Sequence, residues 1–278
     1  MNDISPAQGP AKMHAIARDG TRLAYRLVRG RGRKRLVLVH PLAMAAELWD
    51  DVVAALAGEA DVLLWDCRGH AASDKPEGPY RVELFACDLR DVMNHVGWTD
   101  AVIAGASMGG CVALAFAGAF PERVSGLGLI DTTDWYGPAA PEQWRARGQT
   151  ALTEGMSALT PFQTSRWFGD AFRAANPSIV AKAVEIFLAN DPAAYARVCD
   201  MLGAADLREV LPGLDMPVRI LVGEEDYATP VAMAEAMQAR ISGASLLVIP
   251  GARHFTPLEC PALIADELRA LLASAQAG

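Results

Sequence analysis

One short segment, Gly105-Ala106-Ser107-Met108-Gly109-Gly110, joins an apolar stretch at 101–104 to a stretch of helical character at 111–120. A Gly-x-Ser-x-Gly sequence between a strand and a helix is the form of a nucleophile elbow. In such an elbow the serine stands on a sharp turn that holds its hydroxyl at the edge of a sheet. We therefore expect Ser107 on such a turn, with side chains excluded by crowding at Gly105 and Gly109.

The same region permits a different interpretation, because residues 101–121 carry no charge over a length that approaches a membrane span. Three glycines and the polar Ser107 in its middle argue against a span. The change from a short strand-like run to a helical period argues against it as well. Because a lone Gly-x-Ser-x-Gly often arises by chance, the elbow requires partners elsewhere in the chain.

The bulk composition limits the class of protein. The 278 residues can form one large domain or a core with an inserted subdomain, and 52% of them are hydrophobic. The net charge of −8 disfavours nucleic acid and anionic membranes as partners. Residues 1–12 contain Asp3, two prolines and no apolar core, so we predict a loose tail, no signal peptide and a cytoplasmic location.

The cysteine pattern gives no sign of a disulfide framework or a metal site. The chain has five cysteines, an odd number, without any Cys-x-x-Cys or Cys/His ligand spacing. We expect free thiols in a reducing compartment and no structural zinc. The cysteines are Cys67, Cys87, Cys111, Cys199 and Cys260.

Strand-like and helical segments alternate through most of the chain. A hairpin is predicted over 13–27, with its turn at Asp19-Gly20. The other predicted strands are 36–39, 61–65, 101–105, 124–130, 218–222 and 245–249. The predicted helices are 47–56, 82–96, 109–119, 231–240 and 261–272. This alternation predicts an α/β fold with a mostly parallel, twisted sheet and helices on both faces.

The alternation stops between residues 132 and 212. This stretch has no convincing buried strand and instead carries helical segments rich in Trp, Phe and Tyr. We therefore expect a core built from 1–131 and 213–278, with residues 132–212 inserted as a helical cap over the active site.

Two later loops supply candidate partners for Ser107. In folds with this elbow the catalytic groups follow in the order serine, acid, histidine, each on a loop after a strand. His254 follows the strand at 245–249 and would act as general base, while Asp226 follows the strand at 218–222 and would orient it. Glu224 and Glu225 compete with Asp226, and Asp131 is a further candidate for the acid.

The loop 40–43 follows the strand at 36–39, where this kind of fold supplies one oxyanion-hole amide. The expected donors are the backbone N–H groups of Leu42 and Met108. His40 is expected to brace the loop.

In the segment 66–74 we expect a tight glycine turn with Arg68 paired to a carboxylate, and we rate His70 well below His254 as a base.

Taken together, these features resemble the α/β-hydrolase superfamily over nearly the whole chain after residue 12. The residues that carry the resemblance are the loop 40–43, Asp66-x-Arg68-Gly69-His70, the elbow at 105–110, Gly223-x-x-Asp226 and Gly251-x-x-His254. Two features depart from the usual pattern of the superfamily. Ala71 replaces the second glycine of a Gly-His-Gly turn, and the loop 40–43 lacks the usual glycines.

Within the superfamily the chain is most similar to the 3-oxoadipate enol-lactonase-like group. The similar stretches are Arg166-Trp167-Phe168, 204–208 and 226–230. The resemblance implies a serine hydrolase that acts on a small ester or lactone through an acyl-enzyme on Ser107, with neither a metal nor an organic cofactor. The oligomeric state stays open.

Two other activities are compatible with the same residues, namely carbon–carbon bond hydrolysis and perhydrolysis. A non-catalytic member that uses its pocket for binding is an alternative of another class. Dehalogenases and epoxide hydrolases of this fold are disfavoured because they carry Asp at the elbow. Arg145 or Arg166 could bind a carboxylate of the substrate. The candidate substrate-binding residues are Trp135, Trp144, Arg166, Trp167 and Phe255.

Overall fold

A computed structural model describes residues 12–32 and 34–275. The predicted loose tail falls on residues 1–12, of which 1–11 lie outside the described residues. Lys12 is held in place, because its ammonium group lies 2.8 Å from Asp66 and 2.9 Å from Glu47.

The described residues contain eight strands. They are β1 (Met13–Ile16), β2 (Arg22–Val28), β3 (Arg35–Val39), β4 (Asp61–Trp65), β5 (Ala101–Ala106), β6 (Val124–Ile130), β7 (Val218–Gly223) and β8 (Ser245–Ile249). They form one sheet in the order β1-β2-β4-β3-β5-β6-β7-β8. The pairs β1–β2 and β2–β4 are antiparallel, whereas β3 to β8 run parallel. The prediction of an α/β fold with a mostly parallel sheet is confirmed.

Helices connect the parallel strands. They are α1 (Asp50–Ala55), α2 (Val82–His95), α3 (Met108–Ala119), α4 (Ala140–Glu154), α5 (Thr160–Trp167), α6 (Asp170–Ala175), α7 (Pro177–Leu188), α8 (Pro192–Ala204), α9 (Val231–Arg240), α10 (Thr256–Glu259) and α11 (Pro261–Ser274). The predicted helix at 47–56 divides into a 3₁₀ turn, Ala46–Trp49, and α1.

The direction of the strand order reverses between β3 and β5. The chain steps from β3 to β4 in one direction and from β5 to β6 in the other. Right-handed crossovers then place α1 and α3 on opposite faces of the sheet. A crevice opens at such a reversal, beyond the carboxyl ends of the strands. The loop 40–43 and Ser107 both lie at that crevice, because they follow β3 and β5 directly.

Between β6 and β7 the chain forms the five helices α4 to α8, of which α4 and α8 pack against each other. A backbone bridge between Trp135 and Asp206 joins the two ends of this insertion. The division into a core of 1–131 and 213–278 and a cap of 132–212 stays a prediction.

No helix within 12–32 and 34–275 is both long and apolar enough to cross a membrane. The uncharged run that could suggest a span is divided between the buried strand β5 and the helix α3. All five cysteines are free thiols, as predicted.

Candidate active site

Ser107 occupies the turn between β5 and α3 in a strained backbone conformation. Its φ is +53° and its ψ is −119°, a region that residues other than glycine rarely adopt. A Cβ on Gly105 would collide with the backbone carbonyl of Gly109, and one on Gly109 would collide with the carbonyl of Val39. Crowding therefore excludes side chains at both glycines, as the sequence predicts.

The surrounding backbone fixes this turn. The Ser107 N–H donates to the Ile130 carbonyl over 2.9 Å, and the Thr132 hydroxyl donates to the Ser107 carbonyl over 2.6 Å. The partners are Ile130, the last residue of β6, and Thr132, two positions further on. The turn at Ser107 is therefore fixed by hydrogen bonds to β6, the strand next to β5, and to the residues that follow it.

Ser107, His254 and Asp226 form a continuous hydrogen-bonded chain. The Ser107 Oγ lies 2.9 Å from His254 Nε2, and His254 Nδ1 lies 2.7 Å from Asp226 Oδ2. All three residues are buried, with exposed fractions of 7%, 6% and 3% in the same order. The geometry lets His254 accept the serine proton while Asp226 holds the ring.

The Asp226 carboxylate is held by more than His254. Its Oδ1 accepts from the N–H groups of Ala228 (2.7 Å) and Thr229 (3.0 Å), and its Oδ2 also accepts from the Thr229 hydroxyl (2.9 Å). Burial alone would raise the pKa of Asp226, but the attraction of His254 and these hydrogen bonds outweigh it and lower that pKa. Asp226 is therefore ionised at neutral pH.

Asp131, the rival for the acid, has different partners. Its carboxyl accepts from the Gly223 N–H (3.2 Å) and from the N–H (3.0 Å) and hydroxyl (2.7 Å) of Thr256. Burial, followed by the negative charge of Asp226, raises the pKa of Asp131 well above its usual range. Asp226 thus lies against His254, whereas Asp131 joins the ends of β6 and β7 to the loop that carries His254.

The loops after β7 and β8 meet because their strands are parallel neighbours. Gly223, the last residue of β7, lies so close to the next loop that a Cβ would collide with the carbonyls of Ala252 and Arg253. The N–H of Glu225 donates to the Ala252 carbonyl over 2.9 Å. The glycine thereby permits the approach that brings Asp226 and His254 together.

The loop after β3 lies beside Ser107. His40 is fully buried, accepts from the Cys67 N–H at Nε2 (2.9 Å) and donates from Nδ1 to the Pro41 carbonyl (2.7 Å). Within the described residues, neither the Leu42 N–H nor the Met108 N–H donates to a backbone carbonyl. Both amides are thus free for a ligand, and Met108 also begins α3, whose N-terminus favours negative charge.

The loop after β4 carries the other candidate histidine. His70 is buried, its Nδ1 lies 3.0 Å from the Arg68 carbonyl, and burial lowers its pKa to about 3. Arg68 forms a buried ion pair with Asp88 at 2.5 Å and a second with Asp19 at 2.9 Å. The predicted pairing of Arg68 is confirmed, and His70 has a structural place in this loop.

A small cavity of about 30 Å³ lies beside Ser107 and His254. A wider cavity of about 490 Å³ adjoins it and shares part of its lining. Of the predicted substrate-binding residues, four line the inner cavity: Trp144, Arg166, Trp167 and Phe255.

The prediction for Trp135 needs correction. Trp135 is absent from the lining of both cavities, and the Arg208 guanidinium lies 3.8 Å from its ring centroid. The bridge to Asp206 extends the backbone here, so adjacent side chains point to opposite sides and Tyr136 faces the cavity instead. The sequence reasoning also missed Arg147 and Gln163, which line the inner cavity, whereas Arg145 is 75% exposed.

The chain belongs to the α/β-hydrolase fold family, because the family model for the alpha/beta hydrolase fold matches residues 34–261. It is similar to 3-oxoadipate enol-lactonase 2 of Acinetobacter baylyi, with 30% identity over 229 residues that cover 82% of this chain and 85% of that protein. The predicted resemblance to the enol-lactonase-like group is confirmed at this level.

Two solved structures extend the comparison. The enol-lactonase from Burkholderia xenovorans has a TM-score of 0.89 and 31% identity, over 94% of this chain and all of that one. A malate-bound thermophilic esterase from Thermogutta terrifontis has a TM-score of 0.89 and 28% identity, over 95% and 99% of the two chains.

Proposed function

We propose that this chain is a serine hydrolase that cleaves a small carboxylic ester or lactone through an acyl-enzyme on Ser107. The observation that carries the proposal is the buried chain of hydrogen bonds from Ser107 Oγ through His254 to Asp226, at 2.9 and 2.7 Å. A serine hydroxyl is a weak nucleophile unless an adjacent base removes its proton, and this arrangement supplies that base.

In the acylation step, Ser107 Oγ attacks the carbonyl carbon while its proton moves to His254 Nε2. Asp226 stabilises the imidazolium that forms. The N–H groups of Leu42 and Met108 bind the oxyanion, a role in which one donor typically contributes about 100- to 1,000-fold to the rate. As the tetrahedral species collapses, His254 returns the proton to the leaving alkoxide.

In the deacylation step, water takes the place of the leaving group. His254 removes a proton from this water, which attacks the acyl carbon, and Ser107 then leaves with that proton. A lactone reacts in the same way, except that its leaving hydroxyl stays attached to the acyl group. This balance requires water alone as co-reactant.

The substrate class rests on the relatives. Two similar proteins of Acinetobacter baylyi are named 3-oxoadipate enol-lactonases, and a structural neighbour is an esterase. A panel of lactones, aryl esters and vinylogous diketones, with and without peroxide, separates the proposed ester or lactone hydrolysis from carbon–carbon hydrolysis and perhydrolysis. Turnover of diketones alone would contradict the proposal.

A fluorophosphonate probe separates the enzyme from a non-catalytic binding protein. We expect the folded wild type to be labelled and Ser107→Ala to remain unlabelled. Ser157→Ala, which removes an exposed serine far along the chain from the elbow, serves as the matched control and is expected to label like the wild type. His254→Ala should abolish ester turnover with the fold intact, and retained turnover would refute its role as base.

A further inference from the structure

A side chain of the helical insertion holds the backbone of the loop after β3. Asn190 Nδ2 donates to the Ala43 carbonyl over 2.8 Å, across 147 positions of the sequence. Asn190 lies between α7 and α8 and is only 9% exposed. The same Nδ2 lies 2.9 Å from the Ile186 carbonyl and 3.1 Å from the Phe187 carbonyl, near the end of α7. Asn190 thus ties the end of an inserted helix to the loop beside Ser107.

Ala43 has a backbone conformation that needs support. Its φ is +58°, in the left-handed region that glycine adopts freely and alanine disfavours. Ala43 is also fully buried, and a buried carbonyl without a partner is costly. Across residues 12–32 and 34–275, no backbone N–H donates to this carbonyl. The amide of Asn190 therefore satisfies the Ala43 carbonyl and stabilises the strained turn of the loop.

The hydrogen bond from Asn190 is the first of a series that reaches the expected oxyanion donor. The Ala43 carbonyl shares a peptide group with the Met44 N–H, which donates to the Pro41 carbonyl over 3.2 Å. The Pro41 carbonyl in turn shares a peptide group with the Leu42 N–H. Because a trans peptide group is planar, its N–H and C=O point in opposite directions. A bond that fixes each carbonyl therefore also fixes the direction of the N–H that follows it.

The series ends at the cavity beside the elbow. Leu42 lines that cavity together with Ser107, and within the described residues its N–H donates to no backbone carbonyl. An oxyanion hole depends on donors that are already aligned before the charge develops. Hydrogen bonds in series also polarise one another, so each donation strengthens the next donor. His40 Nδ1 bonds the Pro41 carbonyl as well, at 2.7 Å, so Asn190 adds to a support that already exists.

We propose that Asn190 is a positioning residue, which aligns the Leu42 N–H for the oxyanion and so lets the helical insertion contribute to catalysis. This inference rests on the proposed hydrolase function. Asn190 is absent from the lining of both cavities near Ser107, so it acts through the loop after β3 and not on the substrate. An interaction that matters only in the transition state changes kcat and leaves KM nearly constant.

The test compares Asn190→Leu with Asn176→Leu. Leucine keeps the branched shape of asparagine without its polar atoms. Asn176 is the matched control, because its Nδ2 lies 3.2 Å from the Phe172 carbonyl four residues earlier, a bond that stays within the insertion. We expect kcat for p-nitrophenyl valerate to fall about 10- to 30-fold in Asn190→Leu, with KM nearly constant. This loss is smaller than that of a whole oxyanion donor, because His40 still holds the Pro41 carbonyl. Asn176→Leu should keep the wild-type kcat.

A trifluoromethyl ketone measures the oxyanion hole directly. Ser107 Oγ adds to its carbonyl carbon, the serine proton passes to His254, and the carbonyl oxygen becomes an oxyanion. The Ki of 1,1,1-trifluorohexan-2-one should rise in Asn190→Leu by about the factor by which kcat falls. The Ki of hexan-2-one, which binds without this addition, should stay constant. A merely structural role of Asn190 would weaken both ketones alike or neither of them.

The outcomes separate the positioning role from the hydrolase function. Thermal unfolding verifies folding, and Asn190→Ala removes the same amide without added bulk. If hydrolysis depends on Ser107 but folded Asn190→Leu and Asn190→Ala match Asn176→Leu in kcat and Ki, the positioning role fails and the hydrolase stands. If no ester is hydrolysed but the Asn190 variants alone weaken the trifluoromethyl ketone, the hydrolase fails and the alignment of Leu42 stands. If the wild type binds the trifluoromethyl ketone no better than hexan-2-one, both proposals fail.

Discussion

The sharpest prediction compares Asp226→Asn with Asp131→Asn. The amide that replaces Asp226 has only one workable orientation, since the N–H groups of Ala228 and Thr229 already converge on Oδ1 at 2.7 and 3.0 Å. The amide oxygen must stay there, so the new NH₂ takes the place of Oδ2. It then lies 2.7 Å from His254 Nδ1.

That orientation exchanges the ring nitrogen of His254 that carries the hydrogen. An NH₂ group facing Nδ1 favours the tautomer that carries its hydrogen on Nε2, 2.9 Å from the serine hydroxyl. This tautomer cannot accept the serine proton, and the imidazolium also loses its anionic partner. The equivalent change in trypsin-like enzymes lowers kcat about 10⁴-fold. We expect a loss of about 10³- to 10⁴-fold here, or about 4 to 5 kcal/mol of barrier.

Asp131→Asn tests the alternative assignment. Its amide oxygen would stay with the two donors of Thr256, which leaves NH₂ opposite the Gly223 N–H. This mismatch should lower the stability by about 1 to 3 kcal/mol but reduce kcat no more than about tenfold. Steady-state kinetics with an aryl ester and urea unfolding measure both effects. Equal losses of kcat, or a larger loss in Asp131→Asn, would refute the assignment of Asp226.

Three further predictions concern the scaffold around the site. Gly223→Ala should lower both ester turnover and stability, the latter by about 1 to 3 kcal/mol, because its methyl has no room; Gly213→Ala has open space and should leave both nearly unchanged. Ala71→Gly should raise the free energy of unfolding by about 1 kcal/mol, and the urea midpoint with it, because Ala71 has a φ of +40°, which glycine adopts without strain. A lowered midpoint would contradict this. Arg68→Met should destabilise the protein by about 3 to 5 kcal/mol, because it leaves the buried Asp88 carboxylate without its partner. Adding Asp88→Leu should recover much of that loss. Equal stability of the single and double variants in urea would contradict this explanation.

The sequence predicts the fold and the proximity of Ser107, His254 and Asp226 well, because both depend on local constraints. The spacing of Gly105 and Gly109 reflects contacts within a few residues of Ser107, and parallel strands must bring their carboxyl ends together. His254 and Asp226 follow adjacent strands, so their loop positions already imply proximity. Sequence alone does not show which of Asp226 and Asp131 contacts His254, because they follow neighbouring parallel strands whose carboxyl ends lie at the same edge of the sheet.

The substrate side of the cavity was harder to predict because it depends on which helix face is buried. Arg145 and Arg147 are two positions apart in α4, about 200° around the helix, so they point in nearly opposite directions. Their direct neighbours are Trp144, Ala146 and Gly148, and the sequence alone does not show which face packs on α8. The same difficulty affects Trp135 and Tyr136, because adjacent side chains in an extended segment point in opposite directions and the sequence does not show which one faces the cavity.

The end of α5 is physically joined to the loop that carries His254. Trp167, the last residue of this helix, accepts a hydrogen bond of 3.0 Å from the N–H of Phe255, and their rings stack with 5.0 Å between centroids. Phe255 directly follows His254. A ligand that contacts Arg166 in the cavity would therefore act on a helix that is bonded to the loop carrying His254. Substitutions in α5 can thus change the position of His254 as well as the binding of substrate.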